Sequence, residues 1–136
     1  MIVIDTSVAA KWIFAYEQDS DKAKTLLLNH SSAVATIIVP DLLFFEIANA
    51  LATKSKLSLW KITNSLTKLY QMNLQIYHTQ EKDLKIATRM AKQQGTTVYD
   101  MIYAVVARKH KIQLITADEQ FINQTGFKFV KLLQDI

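Results

Sequence analysis

Short, largely apolar runs alternate along this chain with longer stretches in which apolar residues recur every third or fourth position. Ile2, Val3 and Ile4 form the first short run, and its unbroken apolar character predicts a strand covered on both faces. Comparable runs at residues 36–39, 74–77, 113–115 and 128–130 predict four more strands. Helices are predicted between them. Thr6 or Ser7 is placed to cap a helix running through Trp12 and Phe14, and Ser20 to cap one that buries Ala23, Leu26 and Leu27. Pro40 opens a long helix through Glu46, Asn49 and Leu51. Ser58 opens another, with Leu59, Ile62, Leu66 and Leu69 at helical spacing. Residues 81–94 read as a charged helix that ends at Gly95, a residue suited to a left-handed C-terminal cap. Residues 100–109 and 118–124 complete the helices.

Strand and helix in regular alternation predict an α/β fold: a central five-stranded parallel sheet with helices on both faces, in three layers. No Pro- or Gly-rich linker, internal repeat or low-complexity segment interrupts it, so residues 1–136 read as a single domain.

Composition narrows the chemistry. The absence of cysteine excludes disulfides, thiolate zinc sites and Cys nucleophiles, and fits a cytoplasmic protein. His30, His78 and His110 lack zinc-ligand spacing. Only Gly95 and Gly126 are present, so phosphate-cradling glycine loops and G-x-S-x-G elbows are absent. No apolar run approaches the ~20 residues of a membrane span. Sixteen basic residues against twelve acidic ones give a net charge of +4, which suits a polyanionic partner such as nucleic acid.

Four of those acids stand in apolar settings. Asp5 follows the first strand, and Glu46 lies within Leu42-Leu-Phe-Phe-Glu-Ile-Ala48. Asp100 is the only charged residue from Val98 to Ala107, and Asp118 follows Leu114-Ile-Thr-Ala117. An ionised carboxylate among aliphatic groups is costly unless something pairs with it. In open parallel sheets, sites form beyond the carboxyl ends of the strands where strand order reverses. If the first and fourth strands are neighbours, all four carboxylates face one cleft. Thr6 and Ser7 beside Asp5, and Thr116 beside Asp118, are placed to support them; Asn49 shares a helical face with Glu46. Carboxylates gathered without a cation repel, and a hard divalent ion, Mg²⁺ or Mn²⁺, resolves the repulsion. Such an ion in a basic surround points to phosphodiester hydrolysis. Each acid also has a plainer reading: Asp5, Asp118 and Asp100 as residues favouring a helix start, and Glu46 on a solvated face.

Four segments carrying these acids closely resemble the motifs of the PIN-domain ribonucleases, especially the VapC-type toxins. They are Ile4-Asp5-Thr6-Ser7-Val8 with Lys11-Trp12; Pro40 through Glu46 to Asn49-Ala50-Leu51; Tyr99-Asp100 with Tyr103, Ala104 and Ala107; and Leu114-Ile115-Thr116-Ala117-Asp118 with Phe121. The resemblance covers almost the full length and implies a three-layer PIN-like α/β/α fold. It implies that Asp5, Glu46, Asp100 and Asp118 form the catalytic, metal-binding set for Mg²⁺ or Mn²⁺, with Asp5 and Asp100 as core ligands. It further implies an RNA substrate, often structured RNA such as transfer RNA, a cognate VapB-type antitoxin and a homodimer. Many relatives carry another acid two residues after the last Asp, where this chain has Gln120.

The alternative reading is a non-catalytic RNA- or partner-binding module on the same scaffold. A receiver-like phospho-signalling domain is a poorer fit, since the third strand ends Tyr77-His78-Thr79 without an acid. Two further features have both a plain and a functional reading. The run Arg108-Lys-His-Lys111 suits a helix C-terminus first and RNA backbone second. Tyr70, Tyr77, Tyr99 and Tyr103 suit a core first and base stacking second.

Overall fold

The computed structural model describes residues 1–14 and 18–136. Five parallel strands, β1 (Ile2–Ile4), β2 (Ile37–Pro40), β3 (Gln75–Tyr77), β4 (Gln113–Thr116) and β5 (Val130–Leu132), form one sheet in the order β3-β2-β1-β4-β5. Ile2, Val3 and Ile4 lie opposite Gln113, Leu114 and Ile115 on one side, while Ile2 and Val3 lie opposite Ile37 and Ile38 on the other. The chain winds outward from β1 through β2 to β3, then crosses to β4 and β5. Strand order therefore reverses between β1 and β4, which is where a crevice opens in this class of sheet.

The helices are α1 (Thr6–Ile13), α2 (Ser20–Ser31), α3 (Leu42–Lys54), α4 (Leu59–Gln71), α5 (Glu81–Gln94), α6 (Val98–His110) and α7 (Glu119–Thr125), with a 3₁₀ turn at Leu133–Asp135. Right-handed crossovers place α1–α4 on one face and α5–α7 on the other. Both faces of the central strands are thus covered, and Val3, Ile4, Ile37, Ile38, Val39, Leu114 and Ile115 are buried together. That burial is why these strands read as continuous apolar runs. The α6 helix lies across β1, β2 and β4, with α5 packed against it. Seven consecutive residues, Met101 to Ala107, are buried, as expected of a helix apolar all round. No described helix is long and apolar enough to cross a membrane.

The predicted elements are all present, but several ends move. The α1 helix is capped by Asp5 rather than by Thr6 or Ser7, since the Asp5 Oδ1 accepts the Val8 N–H at 3.2 Å. Ser20 is the first residue of α2 rather than its cap. Pro40 ends β2 opposite Tyr77 of the edge strand, and Asp41 caps α3. Thr97 caps α6, which sets Asp100 in the first helical turn. The fifth strand starts at Val130 instead of residue 128, because the chain leaving α7 first turns. The Val130 N–H bonds back to Phe127 O at 3.1 Å, and the Phe127 and Phe129 rings stack with centroids 5.3 Å apart. Ser58 caps α4, and α5 ends at Gly95 with φ of 70° in the left-handed region, both as predicted.

A polar latch closes the end of the sheet away from β5. Asp83, 2% exposed, accepts hydrogen bonds from Tyr77 Oη at 2.6 Å, Gln80 N–H at 3.0 Å and Lys109 Nζ at 3.1 Å. Burial pushes its pKa up, but these three donors and the Lys109 charge outweigh burial and hold it below the usual carboxylate value. The latch joins the edge strand β3 to the start of α5 and the end of α6.

Candidate active site

Asp5 leaves β1 directly at the reversal point, and its backbone N–H bonds to Ile115 O of β4 at 3.3 Å. Its carboxylate is held by neighbours far apart in sequence. Oδ1 accepts the Ser7 hydroxyl at 2.6 Å as well as the Val8 N–H, and Oδ2 accepts the Thr116 hydroxyl at 2.5 Å. Ser7 Oγ in turn accepts the Ala117 N–H at 2.8 Å, and Thr116 Oγ1 accepts the Asp118 N–H at 2.9 Å. The two hydroxyls thereby fix Asp5 relative to the β4–α7 turn. Burial raises the Asp5 pKa from 3.8 to about 6, the three hydrogen bonds oppose it, and the Asp100 charge adds to the rise. Asp5 and Asp100 are therefore close enough to repel.

This carboxylate is a cost to the fold. A carboxyl that titrates near 6 instead of 3.8 weakens the native state at neutral pH by roughly 3 kcal/mol. Asp5→Asn in metal-free buffer is expected to raise stability by about 1–2 kcal/mol at pH 7.5, since part of the hydrogen bonding is lost with the charge. The folded pKa is raised, so the penalty is full above it and fades as the carboxyl protonates. Melting curves in EDTA should show the advantage of the variant shrinking toward pH 5 and largely gone by about pH 4. An advantage that grew on acidification would contradict this assignment.

Glu46 projects from α3 to the same edge. Its Oε2 lies 2.7 Å from Thr6 Oγ1 and 2.5 Å from Tyr103 Oη, and the two hydroxyls are 2.7 Å from each other. Tyr103 is 1% exposed. Burial first, then the Glu46 charge and hydrogen bond, push its pKa far above the ordinary phenol value, so it stays a donor. Asp100 is held by Thr97, whose hydroxyl donates to Oδ2 at 2.7 Å and accepts the Asp100 N–H at 3.1 Å.

Asp118 joins the group indirectly. It caps α7 through the Phe121 N–H at 3.1 Å, and its backbone N–H is linked to Asp5 by way of the Thr116 hydroxyl. A cleft of about 380 Å³ opens beside it, lined by Lys11, Gln18, Asp19, Glu119 and Gln120 among others. Lys11 is buried there, with Nζ donating to Gln18 O at 2.7 Å. Asn49 is exposed on α3, and its side chain makes no hydrogen bond among the described residues. Of the predicted acids, Asp100 lies within range for its charge to raise the Asp5 pKa, Glu46 is linked to Asp5 through the adjacent Thr6, and Asp118 lies behind the hydroxyl bridge.

Among the described residues, no three His or acidic side chains stand close enough to form a ready-made metal cage. The donor chemistry nonetheless fits Mg²⁺ or Mn²⁺. Such ions keep several waters and take one or two carboxylates directly, which Asp5 and Asp100 supply in a partly buried site whose charges repel.

Two positioning roles escaped the sequence reading, that of Thr97 and that of Tyr103, which is buried in the core as its plain reading expected. Thr97 carried a usable signal, since Thr97-Val-Tyr-Asp100 before an apolar run is a capping pattern. Tyr103 carried a weaker one: a buried phenol needs a partner for its hydroxyl, but nothing in the sequence names Glu46. Of the other tyrosines, Tyr77 belongs to the latch, Tyr70 stacks on Phe44 with centroids 4.4 Å apart, and Tyr99 is exposed.

The chain matches the family model described as PIN domain over residues 2–127. Solved structures share the fold at low sequence identity. FitAcB from Neisseria gonorrhoeae is 18% identical with a TM-score of 0.73, covering 100% of both chains. A toxin–antitoxin complex from Klebsiella pneumoniae is 14% identical with a TM-score of 0.71, covering 98% of each. Mycobacterium tuberculosis VapC20, described as a sarcin-ricin loop cleaving toxin, is 18% identical with a TM-score of 0.71, covering 96% of this chain and 99% of that one. No curated protein sequence matches at a significant level.

Proposed function

The chain belongs to the PIN-domain family, and from that premise we propose that it is a Mg²⁺- or Mn²⁺-dependent endoribonuclease, the toxin of a VapBC-type pair. The observation that carries this reading is the Asp5 carboxylate, kept partly dry and within reach of the Asp100 charge where the strand order reverses. A fold keeps so costly a charge where chemistry needs it. Asp5 and Asp100 are the direct ligands in this reading, with Glu46 and Asp118 completing the acidic set. Thr6, Ser7 and Thr116 aim these groups through the hydrogen bonds described above, and Asn49 lies one turn beyond Glu46. The bound ion supplies charge stabilisation at the phosphoryl oxygen and a more acidic water. The chain's own residues fix carboxylate orientation and keep Tyr103 as a proton donor to Glu46.

The substrate in this reading is RNA, with transfer RNA as a candidate, and the inhibitor is a cognate VapB-type antitoxin. The likeness to the K. pneumoniae complex and the M. tuberculosis toxin supports both. The working state is a cytoplasmic homodimer. The test is cleavage of total cellular RNA by purified protein with Mn²⁺ or Mg²⁺, beside an EDTA control. Discrete metal-dependent products support the nuclease; RNA bound without any cleavage shifts the assignment to a binding module.

Tyr103→Phe is expected to lower metal-dependent cleavage by about 10–100-fold, the usual scale for a group that orients an acidic ligand, while the far-UV spectrum is unchanged. Rates measured across a metal titration check it. Wild-type rates at every metal concentration would remove Tyr103 from the machinery.

A further inference from the structure

The basic run at the end of α6 meets cations from another helix. A groove of about 470 Å³ runs between α5 and α6, lined by Lys82, Asp83, Ile86 and Arg89 from one and Val105, Arg108 and Lys109 from the other. Lys82, Ile86 and Arg89 follow the i, i+4, i+7 spacing of one helical stripe, and Val105, Arg108 and Lys109 form a second. The only acid among the described residues of the lining is Asp83, which is buried and bound to Tyr77 and Lys109. The other acid at the start of α5, Glu81, pairs with Lys85 at 2.5 Å. Lys82, Arg89 and Arg108 are exposed and have no side-chain ion pair or hydrogen bond among the described residues.

Helix-dipole stabilisation does not account for this arrangement. It explains Arg108, Lys109 and His110 in the last turn of α6. Lys82, however, stands in the first turn of α5, where the dipole disfavours a cation, and Arg89 lies mid-helix, where the effect has died away. Three cations with no acid among the described residues to answer them, on a floor of Ile86 and Val105, suit an external polyanion. The guanidinium forks of Arg89 and Arg108 match phosphate oxygens in pairs.

We propose that the α5–α6 groove is a second, non-catalytic anion site, distinct from the acidic cleft, that holds backbone phosphates of the RNA away from the scissile bond. The choice of RNA as the polyanion rests on the reading given under Proposed function. Arg108 is eight residues along α6 from Asp100, about 12 Å of helix axis. A folded RNA spans that separation; a dinucleotide does not.

The experiment compares Arg89→Glu/Arg108→Glu with the parent protein and with Lys24→Glu/Lys56→Glu, which changes net charge equally on α2 and in the α3–α4 connection. Binding of a structured RNA is measured in EDTA across a salt series, and cleavage with Mn²⁺ is measured on that RNA and on a dinucleotide. The groove variant is expected to bind the structured RNA at least about tenfold more weakly at moderate salt, with a log–log salt slope shallower by about 2. Its KM for that RNA should rise with little change in kcat, its dinucleotide cleavage should equal the parent's, and the control should keep the parent's slope. An unchanged slope and affinity in the groove variant overturns the proposal. So does loss of binding to phosphatidylserine vesicles with RNA binding intact, which gives the groove to a membrane. A parent that binds RNA through these residues yet cleaves nothing sinks the nuclease reading and leaves the groove assignment standing.

Discussion

Asp5→Ala and Asp100→Ala are each expected to reduce metal-dependent RNA cleavage by about a thousandfold or more. An ion that stabilises phosphoryl-transfer charge contributes several kcal/mol, and each 1.4 kcal/mol is a factor of ten in rate. Removing a direct ligand forfeits that contribution. The fold should survive. Asp5→Ala loses the α1 cap, worth about 1 kcal/mol, but also removes a partly buried charge that weakens the native state. The sharper comparison uses asparagine. Asp5→Asn keeps an oxygen for the Val8 N–H, and Asp100→Asn keeps one for the Thr97 hydroxyl. A comparable loss in the asparagine variants places the effect in the negative charge rather than in capping. Asp21→Asn, which removes an exposed acid paired with Lys24, serves as the control and should retain full rate. Cleavage at the parent rate by both Asp5→Ala and Asp100→Ala would take these acids out of the chemistry.

The capping and functional readings of the acids turn out to be compatible. Asp5 caps α1 and Asp118 caps α7, yet Asp5 is also partly desolvated within reach of the Asp100 charge. A strand that ends at a site delivers its next residue both to a helix N-terminus and to the cleft, so one aspartate fills both roles. Helix starts shifted from their expected places because Asp5, Asp41 and Thr97 are the caps, where Thr6 or Ser7 was expected to cap α1 and where α3 and α6 were expected to open at Pro40 and Asp100.

Periodicity made the element types legible, since burial on both faces of β1, β2 and β4 writes itself into continuous apolar runs. Contacts across the sheet left no such trace. The Thr116 hydroxyl on Asp5 spans 111 positions, and the Tyr103 hydroxyl on Glu46 spans 57. The same holds for the basic groove. Arg108 and Lys109 were visible as a run, but Lys82 and Arg89 join them only once α5 packs on α6.

Asp83→Ala is expected to destabilise the protein by about 3 kcal/mol, the cost of leaving the partners of a buried, charge-paired carboxylate unanswered. Tyr77 Oη and the Gln80 N–H lose their acceptor, and Lys109 loses its counter-ion. Lys109 is 43% exposed at its side chain and recovers water, so most of the loss comes from the other two and from the α5 capping box. For a chain of this size the melting temperature should fall by roughly 10 °C. The pH dependence has the opposite sign from that of Asp5. The folded pKa of Asp83 is lowered, so its contribution is complete above the unfolded value of about 3.9 and is lost as pH falls through the folded one. Parent and variant should therefore melt about 10 °C apart from neutral pH down to about pH 4.5, and the gap should narrow below it as Asp83 protonates. A gap that closed between pH 7 and 5 would mean that Asp83 is not held ionised by these donors. Dinucleotide cleavage by the variant at 25 °C should remain near the parent rate, because no member of the latch is bonded to Asp5, Glu46 or Asp100. The sheet thus holds one buried aspartate ionised to secure its edge strand and another against its own stability at the cleft, and the two pH profiles tell them apart.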